Sequence, residues 1–149
     1  MISTRKISAL AISALLVLGL AGAAAQEAFT PPSTPEEAVR MRVATMRENG
    51  ALLRTAGMLT GAEAVAAART ILDNYAELPD LFPEGSTAGS DALPTIWQDW
   101  ASFAAIIEAG RSAAEAALAA AEAGDIAGYN SELGTVMRTC GQCHQQFRS

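Results

Sequence analysis

The sequence predicts an all-α fold, an antiparallel four-helix bundle with one long loop between helices 2 and 3. Apolar residues recur at helical spacing through most of the chain, and no segment shows the alternation of a half-buried strand. Half of the 149 residues are apolar, and the many alanines allow helices to approach closely. The length suits one domain and is too short for two ordinary ones.

The first 25 residues have the features of a secretory signal peptide. Arg5 and Lys6 supply positive charge, residues 7–21 are apolar, and residues 23–25 are alanines that fit a cleavage site before Gln26. The alternative is a membrane anchor, because the apolar stretch is nearly long enough to span. The alanine-rich exit and the proline-rich segment behind it favour cleavage. We therefore predict a bundle domain over 26–149, without a membrane span, in a bacterial periplasm.

The first two helices have clear boundary signals. Thr34 with Pro35 and Glu37 forms a capping box, which begins a helix that runs to about Met58. A second helix is predicted from about Ala62 to Leu78, where Pro79 ends it. In the first helix, one face is marked by Val39, Val43, Met46, Leu53 and Ala56. In the second, the residues at helical spacing are Val65, Arg69, Leu72 and Ala76.

A long loop and two further helices complete the predicted fold. Residues 79–94 contain three prolines and two glycines, and loops of this length are usually functional. A third helix is predicted from Thr95 to about Ala123, and Asp125 is a suitable N-cap for a fourth. Their predicted apolar faces are Ile96, Trp100, Phe103, Ile107, Ala114 and Leu118, and Ile126, Tyr129, Leu133, Val136, Met137, Cys140, His144 and Phe147.

The most informative motif is Cys140-Gly141-Gln142-Cys143-His144, in the fourth helix. The C-x-x-C-H pattern is a signature of covalent haem c attachment. Two thiols three residues apart can add to the two vinyl groups of one porphyrin, and the following histidine is near enough to bind the iron. An exported chain is consistent with this chemistry, because covalent attachment of haem takes place outside the bacterial cytoplasm.

Three other interpretations of the cysteines were weighed. A thioredoxin-like pair lies at a helix N-terminus after a strand, whereas this pair lies late in a helix, where the dipole opposes a thiolate. A structural zinc site needs a fourth ligand, and the chain has no other Cys or His. A disulfide across C-x-x-C would be strained in a helix. Haem c is the prediction that these comparisons favour.

The single histidine leaves the sixth coordination position of the iron open to two interpretations. Because His144 is the only histidine, the iron cannot have two histidine ligands. An empty sixth position would give high-spin iron that binds a small gas, and a methionine ligand would give a low-spin electron carrier. Met46 lies on the predicted apolar face of the first helix and Met41 lies off it.

The chain resembles cytochrome c′, the high-spin class II cytochromes c, over nearly all of residues 26–149. The segments that carry the resemblance are residues 37–42, 78–82, 94–97, 121–125, the C-terminal haem motif and Arg148. Gln142 within the motif and the length of the loop around residues 86–91 depart from the usual pattern. Neither departure affects the predicted iron ligand.

The resemblance implies roles for seven residues. Cys140 and Cys143 would form the thioethers and His144 would bind the iron. Arg42 would lie near the haem propionates, and Met46 would cover the opposite face of the iron without binding it. Two further residues are implied at the haem edge: Arg148 beside His144, and Asp91 as a loop contact.

The implied function is binding rather than catalysis. A five-coordinate iron would bind nitric oxide and carbon monoxide, under an apolar cover that offers bound dioxygen no hydrogen-bond donor. An unidentified redox partner and a homodimer built on the first two helices are also implied. The net charge of −6 argues against nucleic acid as a partner. Two alternatives are a low-spin electron carrier with Met46 or Met41 as ligand, and a thiol–disulfide oxidoreductase.

Overall fold

The computed structural model describes residues 28–149, so the predicted signal peptide at residues 1–25 lies outside the described residues. Four long helices form the bundle, and the helix Trp100–Glu122 packs most extensively against the helices Ile126–Phe147 and Gly61–Glu77. Within residues 28–149, no helix has the length and apolar character needed to cross a bilayer. The helices are α1 (Pro35–Thr55), α2 (Gly61–Glu77), α3 (Thr95–Gln98), α4 (Trp100–Glu122) and α5 (Ile126–Phe147), with 3₁₀ turns at Ala56–Met58 and Leu78–Leu81.

The predicted caps of α1 and α5 are present. The Thr34 side chain accepts a hydrogen bond from the Glu37 amide at 3.1 Å, and Asp125 accepts one from the Gly128 amide at 2.9 Å. The Glu37 carboxylate accepts from the Ser33 amide and hydroxyl, at 2.8 and 2.7 Å, rather than from the Thr34 amide as a standard capping box would. These bonds lower the pKa of Glu37 and fix where α1 begins.

The predicted third helix is interrupted at Asp99. The backbone of Asp99 leaves the helical region (φ −128°, ψ 55°), and its carboxylate caps the new helix by accepting from the Ser102 amide at 3.2 Å. A side chain that can bond to a nearby amide competes with the helix at this point. The break turns Trp100 outward, so this residue is 38% exposed and was wrongly predicted to be buried.

The residues at helical spacing in α2 do not mark the centre of its buried face, which is lined mainly by alanines, although Val65 and Leu72 pack against the core. Arg69 is exposed and pairs with Glu122 on α4 at 3.1 Å, and Ala76 is exposed. Alanine side chains are less hydrophobic than those of Val65 or Leu72 and therefore contribute less to a hydropathy pattern. Their small size nevertheless allows α2 and α4 to approach closely. The buried residues of α2 are Ala64, Ala67, Ala68, Ile71, Asn74 and Tyr75.

Aromatic side chains close the core near the haem motif. The Phe103 ring lies 4.8 Å from that of Phe82 and 5.4 Å from that of Phe147, both edge to face. All three rings are buried, as predicted for Phe103 and Phe147. The Tyr129 hydroxyl donates to the Ala56 carbonyl at 3.1 Å, which ties α5 to the turn after α1. The motif therefore lies on a helix that is fixed on several sides.

Candidate haem site

The motif residues Cys140, Cys143 and His144 lie in the last two turns of α5. The two thiols are not bonded to each other. Burial, and then the proximity of Cys140, raises the pKa of Cys143 to about 11, which disfavours the thiolate that an oxidoreductase needs. Residues 28–149 contain no group of three or more Cys, His, Asp or Glu side chains arranged to hold a metal, so the structure gives no support to a zinc site.

Two adjoining cavities border the motif. The inner cavity, of about 320 Å³, lies between α1, α2, α4 and α5, and the loop cavity, of about 370 Å³, lies between α1, α5 and the 82–94 loop. Each is within the size range of ligand pockets. Five residues border both cavities: Met46, Phe82, Phe103, Cys143 and His144.

The inner cavity has an apolar wall and a hydrogen-bonded group beside Cys140. The Tyr75 hydroxyl lies 3.0 Å from Thr139 Oγ1 and 3.4 Å from Cys140 Sγ. Burial, together with Cys140, raises the pKa of Tyr75, so the hydroxyl stays protonated and available as a donor. Because Gly110 has no side chain, the Tyr75 ring can occupy the space beside its Cα atom. Neither residue was singled out from the sequence, although a glycine within an alanine-rich helix was a usable signal.

The loop cavity is bordered by a buried arginine. Arg42 is 3% exposed and donates to the Leu81 carbonyl at 3.2 Å, Ser86 Oγ at 2.7 Å, the Ser86 carbonyl, and Ser90 Oγ at 2.6 Å. Its guanidinium also lies 4.7 Å from the Phe82 ring centre. Burial lowers the pKa of Arg42, and all of these acceptors are neutral. The site therefore favours an anion in the adjoining cavity.

The other two predicted edge residues form an ion pair with each other. Arg148 donates to Asp91 Oδ2, with its Nη2 at 2.8 Å, and both side chains are exposed. The resemblance implied a position for Arg148 beside His144, and the hydrogen-bond partner of its guanidinium is Asp91. Burial, and then the positive charge of Arg148, lowers the pKa of His144, which favours the neutral imidazole that can bind a metal.

The structure brings the seven predicted site residues to the two cavities. Met46, Cys143 and His144 border both of them, and Cys140 borders the inner one. Arg42, Asp91 and Arg148 border the loop cavity. Met41 borders neither and packs against the core instead. Asn49, which the sequence analysis did not assign to the site, borders the inner cavity.

The sequence profile of the family described as Cytochrome C′ matches residues 36–148. This chain belongs to the cytochrome c′ family. It is 32% identical to cytochrome c′ from Rhodopseudomonas palustris over 147 residues, which cover 93% of each chain. It is also 41% identical to cytochrome c-556 from Agrobacterium tumefaciens (strain II Chrys) over 88 residues, or 58% of this chain and 71% of that relative.

Solved cytochromes c′ have the same fold. A ferrous arginine-to-glutamine variant of cytochrome c prime from Alcaligenes xylosoxidans, described with bound NO, superposes with a TM-score of 0.71 at 27% identity. The match covers 78% of this chain and 98% of that one. The four-helix architecture predicted from the sequence is thereby confirmed.

The residues of this cytochrome c′ family member fit covalently attached haem c, the cofactor of the family. A haem has an apolar macrocycle and two anionic propionates. The largely apolar wall of the inner cavity suits the macrocycle. The loop cavity, which is bordered by Arg42, Arg47 and Arg148, suits the propionates. The two thiols required for attachment lie on one helix, with Cys143 at the border between the two cavities and Cys140 at the inner one.

Proposed function

We propose that this protein is a periplasmic haem c protein whose five-coordinate iron, held by His144, would bind nitric oxide and carbon monoxide. The observation that carries the proposal is that Met46 on α1 and His144 on α5 border the same two cavities. The bound haem supplies an iron centre for gas binding and electron transfer. The NO-bound Alcaligenes relative supports a diatomic gas as the ligand.

The side chains have separate tasks in this proposal. Cys140 and Cys143 would form the two thioethers, and His144, whose lowered pKa favours the neutral imidazole, would hold the iron. Arg42 supplies a buried positive charge for the propionates, and the Asp91–Arg148 pair closes the edge of the loop cavity. Met46 would cover the gas-binding face, where its apolar side chain favours small, weakly polar molecules over water.

A second candidate function is electron transfer by a six-coordinate iron with Met46 as ligand. The specific observation that favours it is the position of the Met46 side chain, at the border of both cavities with His144. A thioether ligand raises the reduction potential and gives a low-spin iron. The two candidates therefore differ in whether Met46 binds the iron at rest.

The absorption spectrum of the reduced full-chain holoprotein, before and after addition of NO, tests the proposal. We expect a high-spin spectrum in both the wild type and Met46→Leu. Addition of NO should change the spectrum of both proteins. A low-spin wild type that becomes high-spin in Met46→Leu, and stays low-spin in the control Met41→Leu, would establish the second candidate instead. Mass spectrometry without a covalent haem adduct would overturn both.

Location and assembly are tested separately. N-terminal sequencing of the exported protein should begin at Gln26 if the predicted cleavage takes place. Self-association through α1 and α2 stays a prediction, and sedimentation velocity of the holoprotein checks it. A periplasmic redox partner is also proposed, and reduction of the protein by a periplasmic extract, with and without boiling, tests for one.

A further inference from the structure

Asn49 is a polar residue in the largely apolar wall of the inner cavity. It lies on α1 one turn after Met46, is 4% exposed, and borders the cavity with Gly50 and Leu53. Residues three apart on a helix are neighbours on one face, so Asn49 is on the same side of the site as Met46. The sequence analysis expected a cover without a hydrogen-bond donor at this place, and the structure differs from that expectation.

The orientation of the Asn49 amide is fixed by two neighbours. Asn74 Nδ2 donates to Glu48 Oε2 at 3.0 Å and to Asn49 Oδ1 at 2.8 Å. A carboxylate only accepts hydrogen bonds, so Asn74 must turn its NH₂ group toward Glu48. The same nitrogen faces Asn49, which must therefore present its oxygen to Asn74. The NH₂ group of Asn49 consequently points away from α2.

This NH₂ group makes no hydrogen bond with the part of the chain that the structure describes. In the buried and half-buried residues of that part, each side-chain nitrogen or oxygen that has no accessible surface also has a hydrogen-bond partner. The Asn49 nitrogen must then be in contact with open space. The open space that this nearly buried residue borders is the inner cavity.

We infer that Asn49 donates a hydrogen bond to a ligand bound at the haem on the Met46 side. The ligand class it favours is a small molecule whose outer atom gains negative charge on binding to ferrous iron, as dioxygen does more than carbon monoxide. Donors near the iron influence which ligands are held. This inference rests on the proposed gas-binding function and assigns a specificity-determining residue to it.

Carbon monoxide is the probe for the test, read by infrared spectroscopy of the reduced full-chain holoprotein. A donor near the CO oxygen polarises the bond and lowers its stretching frequency. We expect Asn49→Leu, which keeps a similar volume and removes the donor, to shift the C–O band to higher wavenumber. The matched control is Asn130→Leu, at an exposed position on α5, and it should leave the band unchanged.

A second variant tests the orientation and does not disturb the core. Glu48 is exposed, and Glu48→Gln can turn either an oxygen or an NH₂ group toward Asn74. Both orientations of Asn49 then become accessible, so we expect an additional band close to that of Asn49→Leu. This readout serves even where Asn49→Leu fails to fold.

The possible failures are distinguishable. A C–O band that is present in the wild type and identical in Asn49→Leu, or in Glu48→Gln where Asn49→Leu does not fold, overturns the role of Asn49 and leaves gas binding intact. No bound CO in the reduced wild type overturns the gas-binding proposal and the role of Asn49 together.

Discussion

Replacement of Gly110 by alanine tests the packing that places Tyr75 beside Cys140. A methyl group at Gly110 would lie 2.1 Å from Tyr75 Cε1, 2.7 Å from Cζ and 2.8 Å from Thr139 Oγ1. Tyr75 is 5% exposed and its hydroxyl is bonded on the α5 side. The ring therefore cannot move aside without a shift of α2 or the loss of those bonds.

The expected magnitude is the difference between two opposing effects. Alanine within a helix is more favourable than glycine by about 1 kcal/mol. Overpacking of a buried site typically costs 1–3 kcal/mol, and breaking the buried Tyr75 hydrogen bonds costs about 1–3 kcal/mol more. The steric effect and the lost hydrogen bonds together outweigh the helix preference, so we expect Gly110→Ala to lower the free energy of unfolding by about 1–5 kcal/mol.

Urea unfolding of the holoprotein measures this change, with Gly134→Ala as the matched control. Gly134 lies within α5, where a methyl group would meet only Arg138 Nη1 at 3.6 Å, so the control should gain about 0.5–1 kcal/mol. Gly110→Ala should cost less when Tyr75 is replaced by leucine, because the clashing ring atoms are absent. A Gly110→Ala protein as stable as the wild type would refute the reasoning.

Two further predictions concern charge. Arg42→Met leaves the acceptors of Leu81 and Ser86 without their donor, so urea unfolding should show a loss of about 3 kcal/mol, against under 0.5 kcal/mol for the exposed Arg40→Met. Burial, and then neighbouring carboxylates, raises the pKa of Glu77, so the folded state binds the proton of this carboxyl more tightly than the unfolded state does. The free energy of unfolding therefore falls as the pH rises from the pKa of Glu77 in the unfolded state through its higher pKa in the folded state. Glu77→Gln should therefore stabilise the protein by a few tenths of a kcal/mol at pH 7, and a gain that persists unchanged at pH 3 would contradict this.

The features that the sequence predicted well depend on local chemistry. The motif around Cys143 and His144 is a short pattern of fixed spacing, and the caps at Thr34 and Asp125 are bonds between near neighbours in the chain. The resemblance implied that Arg42 lies near the haem propionates, and this residue borders the loop cavity. The haem motif and the helix caps can be predicted because few other local structures suit the same residue types at the same spacing.

The features that it missed depend on contacts between distant segments. Hydrophobic size did not mark the centre of the buried face of α2, because the close approach of α4 is made by alanines. The donor direction of Asn49 depends on Asn74, which is 25 residues away in the chain. Likewise, the partner of Arg148 is 57 residues away. None of these relations leaves a periodic pattern in the sequence.

The 82–94 loop is anchored at both of its sides. Arg42 binds it from within through Ser86 and Ser90, and the end of α5 binds it through a backbone bond of 2.9 Å from Leu93 to Phe147 and the Asp91–Arg148 pair. Insertions and deletions accumulate where backbone is neither buried nor bonded. Natural variation in loop length among relatives should consequently fall at the exposed residues 84–85, before the anchoring serines, so that Ser86 and Ser90 keep their spacing.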